Sequence, residues 1–408
     1  MSASPSRSIF ASPAFARYFL GQSLSYVGDG LRTFAVPLLV FHLTHSALST
    51  GGALIAETAP FALFAVAGGS LADRVDRRRL MIYCDAVRCL VMAAFAALFA
   101  THHLSVAGIY GGLVLISISA AFFMGGQASS LPYLLGKGNA TRGMAALMAA
   151  ENTSNLVTPA IGGFIFSLFG ALPALIANAV TYLGSQLSLA SIPSSLGPDA
   201  PAGLPSVRQF VADVRIGFGF LFGDRAMRAQ SFIALALNTL GFGGFSILIP
   251  FLKRDFGASD RDVGLFFGIT AVGAIVGSLA AGRIDRRWPF GKLLTVAYVL
   301  DALLFLPVVF SRNMWVAGVF WAASNALAQF EVAQIMGWRL RVIPLEMTGR
   351  VFGAIRLFVL GGLAPGVIFA GWMADRFGAH LAMAVVAWGF AAIAVAALAS
   401  PVIRQEER

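Results

Sequence analysis

The chain has 408 residues, of which 58% are hydrophobic and only 12% charged, with a mean hydropathy of +0.79. That leaves too little polar surface to cover a water-soluble globule, so the composition describes an integral membrane protein and excludes a soluble one. The net charge of +10 invites a nucleic-acid partner, but its distribution along the chain argues for membrane topology instead.

Crossing a bilayer takes about 20 largely apolar residues in a helix, because backbone groups in lipid must be satisfied within the segment. Twelve segments meet that test: 16–43, 49–72, 80–101, 105–128, 142–168 and 171–192, then 228–252, 262–282, 292–310, 314–336, 350–372 and 378–400. The first is too long, and lacks a small-residue cleavage site, for a removable signal. On alternate loops Lys and Arg fall overwhelmingly on one side, and the other side holds only Lys253, Arg254, Arg261, Arg312 and Arg376. Both termini are therefore expected in the cytoplasm. Only Arg32, Arg88 and Arg356 fall inside segments.

In the first segment Gln22, Ser25, Asp29 and Arg32 share one helical face and form a polar stripe through the membrane interior. A charge left in hydrocarbon costs at least ~2.5 kcal/mol, so Asp29 and Arg32 either face a cavity or pair with each other at i, i+3. After the second segment the chain reads GGSLADRVDRR at 68–78, and a second version, GSLAAGRIDRR, stands at 277–287. Gly68, Ala72, Arg74, Asp76, Arg77 and Arg78 recur as Gly277, Ala281, Arg283, Asp285, Arg286 and Arg287. Repetition at half the chain length points to two copies of one unit.

Segment three opens with Asp85 and Arg88, which are expected to extend the ion network of the loop before it. Its Cys84 and Cys89 have spacing that suits neither a metal pair nor a disulfide. The fifth and eleventh segments echo one another, with PAIGGFIFSLFGAL from Pro159 matching PGVIFAGWMADRFGAH from Pro365. Pro193, Pro198, Pro201 and Pro205 break the chain between the halves. Val207, Phe210, Val211, Val214 and Phe218 then recur at helical spacing, as in an amphipathic helix on the cytoplasmic leaflet or an extended start of segment seven. The expected organisation is an N-terminal six-helix bundle over 1–192, a cytoplasmic linker with an amphipathic helix over 193–227, and a C-terminal six-helix bundle over 228–408.

The intramembrane carboxylates are Asp29, Glu57, Asp85, Glu151, Asp301 and Glu331, and any of them is a candidate proton carrier. Asp301 lies on segment nine and reads as a structural hydrogen-bond acceptor. Glu151 in segment five and Arg356 in segment eleven fall at equivalent depth and read as buried charges. Glu331 shares a side of segment ten with Gln334, and Asn325 and Gln329 form another polar face. The pairs Gly264 with Gly268 and Gly273 with Gly277 read as helix-packing positions. No Walker sequence is present and GFGFLFGD at 217–224 has no preceding strand, so neither a nucleotide nor another cofactor is expected.

The first segment's GQSLSYVGDGLRTFAVPLLVFHLTHSAL, with Gly28-Asp29, Pro37 and the Leu43-Thr44 ending, and the loop at 69–78 resemble the major facilitator superfamily. Within it they resemble the bacterial drug and siderophore exporters, both enterobactin-exporter-like and macrolide-efflux-like. The family's loop motif G-x-x-x-D-R-x-G-R-R falls on Gly69, Asp73, Arg74, Arg77 and Arg78, with Asp76 in place of glycine. Its antiporter motif G-P-x-x-G-G falls on Pro159, Gly162 and Gly163, with Thr158 in place of glycine. Residues 105–128 carry no charge, so the arginine that many proton-coupled relatives have in segment four has no counterpart here.

The resemblance implies an all-α fold of twelve transmembrane helices in two pseudo-symmetric bundles. It implies that Gly68 and Gly69 allow close helix approach, that Asp73 caps the N-terminus of segment eleven, and that Arg77 holds Asp73 in a cytoplasmic latch of the outward-open state. If segments one, four, seven and ten line the cavity, Asn238, Asn325 and Gln329 are candidate substrate contacts or, equally, structural hydrogen-bonding residues, beside Asp29, Arg32, Glu151, Glu331 and Arg356 as candidate substrate or proton sites. The implied function is secondary active efflux of a small amphipathic molecule in exchange for protons, by a monomer in the bacterial inner membrane. A facilitator or importer of the same fold and a non-transporting membrane sensor are the rival readings. No enzyme activity, metal or nucleic-acid partner is expected.

Overall fold

Apolar runs of this length leave the backbone no partner but itself, and among the described residues every regular element is accordingly helical. The structure, a computed structural model, describes residues 9–72, 74–136, 138–193, 196, 207–281, 289–344 and 347–400. Asp73, Pro198, Pro201, Pro205 and the second loop copy at Arg283, Asp285, Arg286 and Arg287 lie outside the described residues.

The helices are α1 (Pro13–Thr44), α2 (Ala47–Ala72), α3 (Arg77–Ala100), α4 (Val106–Leu135), α5 (Ala140–Phe169), α6 (Ala171–Ala190), α7 (Val207–Gly223), α8 (Arg225–Ser246), α9 (Leu248–Asp255), α10 (Asp260–Ala281), α11 (Phe290–Phe310), α12 (Met314–Val342), α13 (Thr348–Leu360), α14 (Leu363–Phe377) and α15 (Ala379–Ala399). Their ends follow local chemistry. Asp76, Ser105, Asp224 and Asn313 supply side-chain N-caps. Gly136, Gly170 and Gly378 close α4, α5 and α14 at positive φ, where a side chain would be strained.

Among the described residues eight spans are long and apolar enough to cross a membrane, and α8 with α9, bent by 44° at Ile247, makes a ninth. The other expected segments are α5, α6 and α12, of 30, 20 and 29 residues, which reach across a bilayer but carry more polar side chains. The fold is all-α and membrane-spanning.

The chain packs as two units, Met1–Leu39 with Ala56–Leu204 and Val40–Ile55 with Pro205–Arg408. In the first, small residues set the helix crossings. A side chain at Gly68 of α2 would strike the Ala121 carbonyl of α4, and one at Gly125 of α4 would strike the Gly68 carbonyl. Gly21 and Gly28 of α1 receive Ser188 and Thr181 of α6 in the same way. The core at one end of this unit joins Phe15, Tyr18, Met81, Phe123, Leu131, Leu189 and Leu196.

In the second unit Gly273 and Gly277 of α10 lie against the Ala322 and Ala326 carbonyls of α12, the packing role expected for that pair. The repeat is thus physical: Gly68 and its sequence counterpart Gly277 each carry a backbone-close crossing. The helix expected after the linker is present as α7, and its second half is seated on α13. Gly217 abuts the Arg350 carbonyl, and Leu221 joins a core with Val351, Ile355 and Trp338.

Candidate functional site: a charge network and a polar clasp

In the first unit the polar stripe of α1 turns inward. Gln22 and Ser25 are buried and Arg32 is 5% exposed. Arg32 lies between two carboxylates, with Nη2 3.2 Å from Asp29 Oδ1 and Nη1 2.7 Å from Glu57 Oε1 on α2. The second contact is an ion pair without hydrogen-bond alignment, since Arg32 Nη1 has no hydrogen-bond partner. Tyr182 of α6 donates to Asp29 Oδ1 at 2.7 Å, and Thr33 donates to Glu57 Oε1 at 3.2 Å. Nearer the N-terminus of α1, Gln127 Nε2 of α4 donates to Gln22 Oε1 at 2.6 Å and to the Tyr26 hydroxyl at 2.5 Å.

Asp85 and Arg88 of α3 pair at 3.4 Å, both buried, and the Arg88 guanidinium stands 4.6 Å over Phe123 and 5.7 Å over Tyr182. They were expected to extend the loop network. Their contacts instead run through the Tyr182 ring towards Asp29, because these side chains face α6 beyond the loop. Glu57 and Tyr182 had no sequence signal as partners of α1: both pairings depend on how three helices rotate against one another.

The loop motif is a clamp on the end of α6. Arg77 Nε donates to Ser129 at 2.8 Å, Arg77 Nη1 to the Leu196 carbonyl at 3.1 Å, and the guanidinium lies 4.8 Å over the Tyr133 ring. Arg78 Nε donates to the Leu189 carbonyl at 2.9 Å and Nη2 to the Ala190 carbonyl at 2.5 Å. Arg17 adds a bond to the Ser191 carbonyl at 2.8 Å. The Leu189, Ala190 and Ser191 carbonyls lie at the C-terminus of α6, where cations are favoured. Arg74 Nη2 is buried with no hydrogen-bond partner among the described residues. Gly69, expected to make the close approach with Gly68, faces open space, since only Gly68 points at α4.

The antiporter-like motif marks the crossing of α1 and α5. Pro159 lies inside α5, Gly163 is buried, and a side chain at Gly162 would press on Leu31 and Phe34 of α1. Thr158, standing where glycine is usual, packs into Gly30 of α1 and shares a hydrogen bond of 3.0 Å with Ser154. The small residue has moved to the opposite helix.

Other sequence candidates separate. Glu151 and Arg356, expected as buried charges, are exposed, each on a helix face turned away from the packed interior of its own unit. Asn238 donates to the Ala234 carbonyl of its own helix at 2.8 Å, and Asn325 donates to the Thr270 carbonyl of α10 at 3.0 Å. Gln329 is half-buried. Glu331 is buried, and Asp301 accepts from Ser324 of α12, the structural bond expected for it.

Sequence reasoning passed over one feature of the second unit entirely. The turn joining α1 to α2 packs there, and Asp375, at the end of α14, caps α2. Asp375 accepts from the Ala47 N–H at 2.7 Å, the Leu48 N–H at 3.0 Å and the Ser46 hydroxyl at 2.6 Å. Arg254 of α9 pairs with Asp375 at 3.1 Å and donates to the Ala374 and His45 carbonyls. Gly371 lets α14 approach the Leu48 backbone, and Lys253 and His42 both contact Asp260. The available signal was an acid ending segment eleven on the side with few cations.

Membrane-crossing helices that bury paired charges in the first unit and tie the α1–α2 turn by a polar clasp in the second have the make-up of a polytopic membrane transport protein. The chain belongs to the Major Facilitator Superfamily, whose family model matches residues 18–367. It is similar to the enterobactin exporter EntS of Escherichia coli O1:K1 / APEC, 25% identical over 373 residues, which cover 86% of this chain and 85% of the relative. EntS of Shigella boydii serotype 18 is 24% identical over the same shares. Among solved structures, a bacterial homolog to the human lysosomal transporter Spinster, inward-facing and unoccupied, matches with a TM-score of 0.75 at 15% identity, covering 99% of both chains. The nucleoside transporter NupG matches with a TM-score of 0.74 at 12% identity, covering 95% of this chain and 98% of that one. The protein is a multi-pass transporter of a small molecule and not an enzyme.

Proposed function

We propose that this transporter exports a small amphipathic molecule, a drug or siderophore-like metabolite, across the bacterial inner membrane by alternating access in exchange for protons. Similarity to enterobactin exporters along 86% of the chain supports the direction and the substrate class. The observation that carries alternating access is the Asp375 clasp. It holds the α1–α2 turn by partly solvated polar contacts, with Arg254 and Asp375 side chains 33% and 27% exposed, rather than by a sealed apolar core. Such contacts break and re-form at small net cost.

In this reading residues 1–192 and 228–408 act as the two halves, joined through 193–227, in a monomer with both termini in the cytoplasm. Asp73, Arg74, Arg77 and Arg78 with Gly69 serve the cytoplasmic latch. Pro159, Gly162 and Gly163 serve the α1–α5 crossing, and the Asp29–Arg32 pair shapes the polar wall that substrate meets. Driving force is sufficient without ATP. One proton falling through 100 mV releases about 2.3 kcal/mol and a tenfold gradient takes about 1.4 kcal/mol, so one proton sustains roughly a 40-fold gradient of a neutral substrate. The test is enterobactin uptake into inverted membrane vesicles. Accumulation is expected to collapse with a protonophore; accumulation indifferent to it removes proton exchange, and uptake confined to right-side-out vesicles reverses the direction.

A further inference from the structure

The buried carboxylates of the two units differ in what neutralises them. In the first unit Asp29, Glu57 and Asp85 each have an arginine within ion-pair range, at 3.2, 2.7 and 3.4 Å. In the second unit Asp301 and Glu331 are 3% and 4% exposed, and among the described residues neither has a cation within that range. Asp301 has a single neutral donor, the Ser324 hydroxyl, and Glu331 Oε1 has no hydrogen-bond partner.

The seam between α11 and α12 shows how they are enclosed. Phe290 stacks on Trp338 at 4.8 Å at one end of it, and Phe305 lies 5.0 Å from Trp321 at the other. Ser324, Glu331 and Trp338 are spaced by seven, so they share one face of α12, and the Ser324–Asp301 bond sets that face against α11. Glu331 therefore sits two turns from each of Ser324 and Trp338, between the aromatic layers. The two helices run antiparallel and side chains lean towards their own N-terminus, so Glu331 leans towards Asp301 and Asp301 towards Glu331. The groups facing them are the Tyr298 hydroxyl, which accepts from Gln230 of α8 at 2.8 Å, and Arg339. Arg339 lies eight residues beyond Glu331, about 12 Å along the helix, so it neutralises neither carboxylate directly.

Two carboxylates buried on one seam, one of them with an oxygen that lacks a hydrogen-bond partner and neither with a cation beside it, are costly to hold ionised together. We infer that Glu331, with Asp301 as its buried neighbour across the seam, holds the exchanged proton, and not the arginine-paired acids of the first unit. Release breaks the carboxyl O–H bond, leaves the electron pair on the carboxylate and passes the proton to water admitted when the α11–α12 seam opens. The inference rests on the proton-exchange reading above and locates its proton.

Two measurements on the purified protein test it. Infrared difference spectroscopy across an alkaline titration is expected to show a protonated carboxyl C=O band in the wild type that is lost in Glu331→Gln, a near-isosteric mimic of the neutral acid, and retained in Asp29→Asn. In proteoliposomes, enterobactin-driven proton movement is expected to be lost in Glu331→Gln while enterobactin counterflow, which needs no net proton transfer, survives. A C=O band unchanged in both Glu331→Gln and Asp301→Asn overturns the assignment. Wild-type proton movement that persists in Glu331→Gln overturns it alone, and no proton movement in the wild type removes the exchange reading and the assignment together.

Discussion

Arg32 is the residue on which the first unit's interior depends. Its guanidinium is 5% exposed and stands between Asp29 and Glu57, so removing it strands two acids at once. Breaking a buried pair from one side typically costs about 3–5 kcal/mol. Arg32→Met is therefore expected to lower folded yield in detergent sharply. Asp29→Asn, which leaves Glu57 on Arg32 and keeps an acceptor for Tyr182, is expected to cost about 1 kcal/mol. Thermal unfolding followed by size-exclusion chromatography checks the order, and equal losses would mean that the Arg32–Glu57 contact carries little. The stripe of Gln22, Ser25, Asp29 and Arg32 was readable because helical period fixes which residues share a face. Its partners Glu57 and Tyr182 were not, because nothing within α1 reports which residues of α2 and α6 lie opposite.

At the scale of elements, the crossings were more legible than the charges. Gly273 and Gly277 are four apart, a spacing that places two missing side chains on one face, and that face meets the Ala322 and Ala326 carbonyls. Gly277→Val puts a β-branched side chain into a backbone carbonyl that cannot yield. It is expected to reduce membrane expression severely, by about 3 kcal/mol or more of packing strain. Gly69→Ala, facing open space one residue from the close-packed Gly68, is expected to leave expression within about 0.5 kcal/mol of the wild type. Fluorescence-detection chromatography of tagged variants separates the two outcomes. The contrast shows where motif reading stops: G-G at 68–69 announces close approach without saying which glycine makes it, and the orientation of α2 decides.

For the whole molecule, the repeat is most informative where it fails. Asp73 has Gly282 as its counterpart, and the Phe-Gly-Ala endings at 169–171 and 377–379 make Ser167 the counterpart of Asp375. Each acid therefore survives in one copy only, Asp73 closing segment two and Asp375 closing segment eleven. Asp375 caps the first turn of α2 with three accepted hydrogen bonds and draws in Arg254. Asp73, which lies outside the described residues, is by the proposed latch the corresponding cap for the start of segment eleven. In the proposed alternating-access cycle each membrane face needs one such cap, and a retained counterpart six segments away would only add a second cap on the same face. Neutralising either acid is thus expected to slow transport, through opposite conformations. Asp375→Ala is expected to cost about 1–3 kcal/mol locally, the loss of one helix cap and its charge-assisted bonds. Hydrogen exchange should then rise at Ala47 and Leu48 while the α10–α12 crossing stays protected. Asp73→Asn should slow transport without raising exchange at those two amides, and should do so more than Asp285→Asn. Protection at Ala47 and Leu48 unchanged by Asp375→Ala would mean that the clasp restrains nothing, and that the two acids are only topological markers.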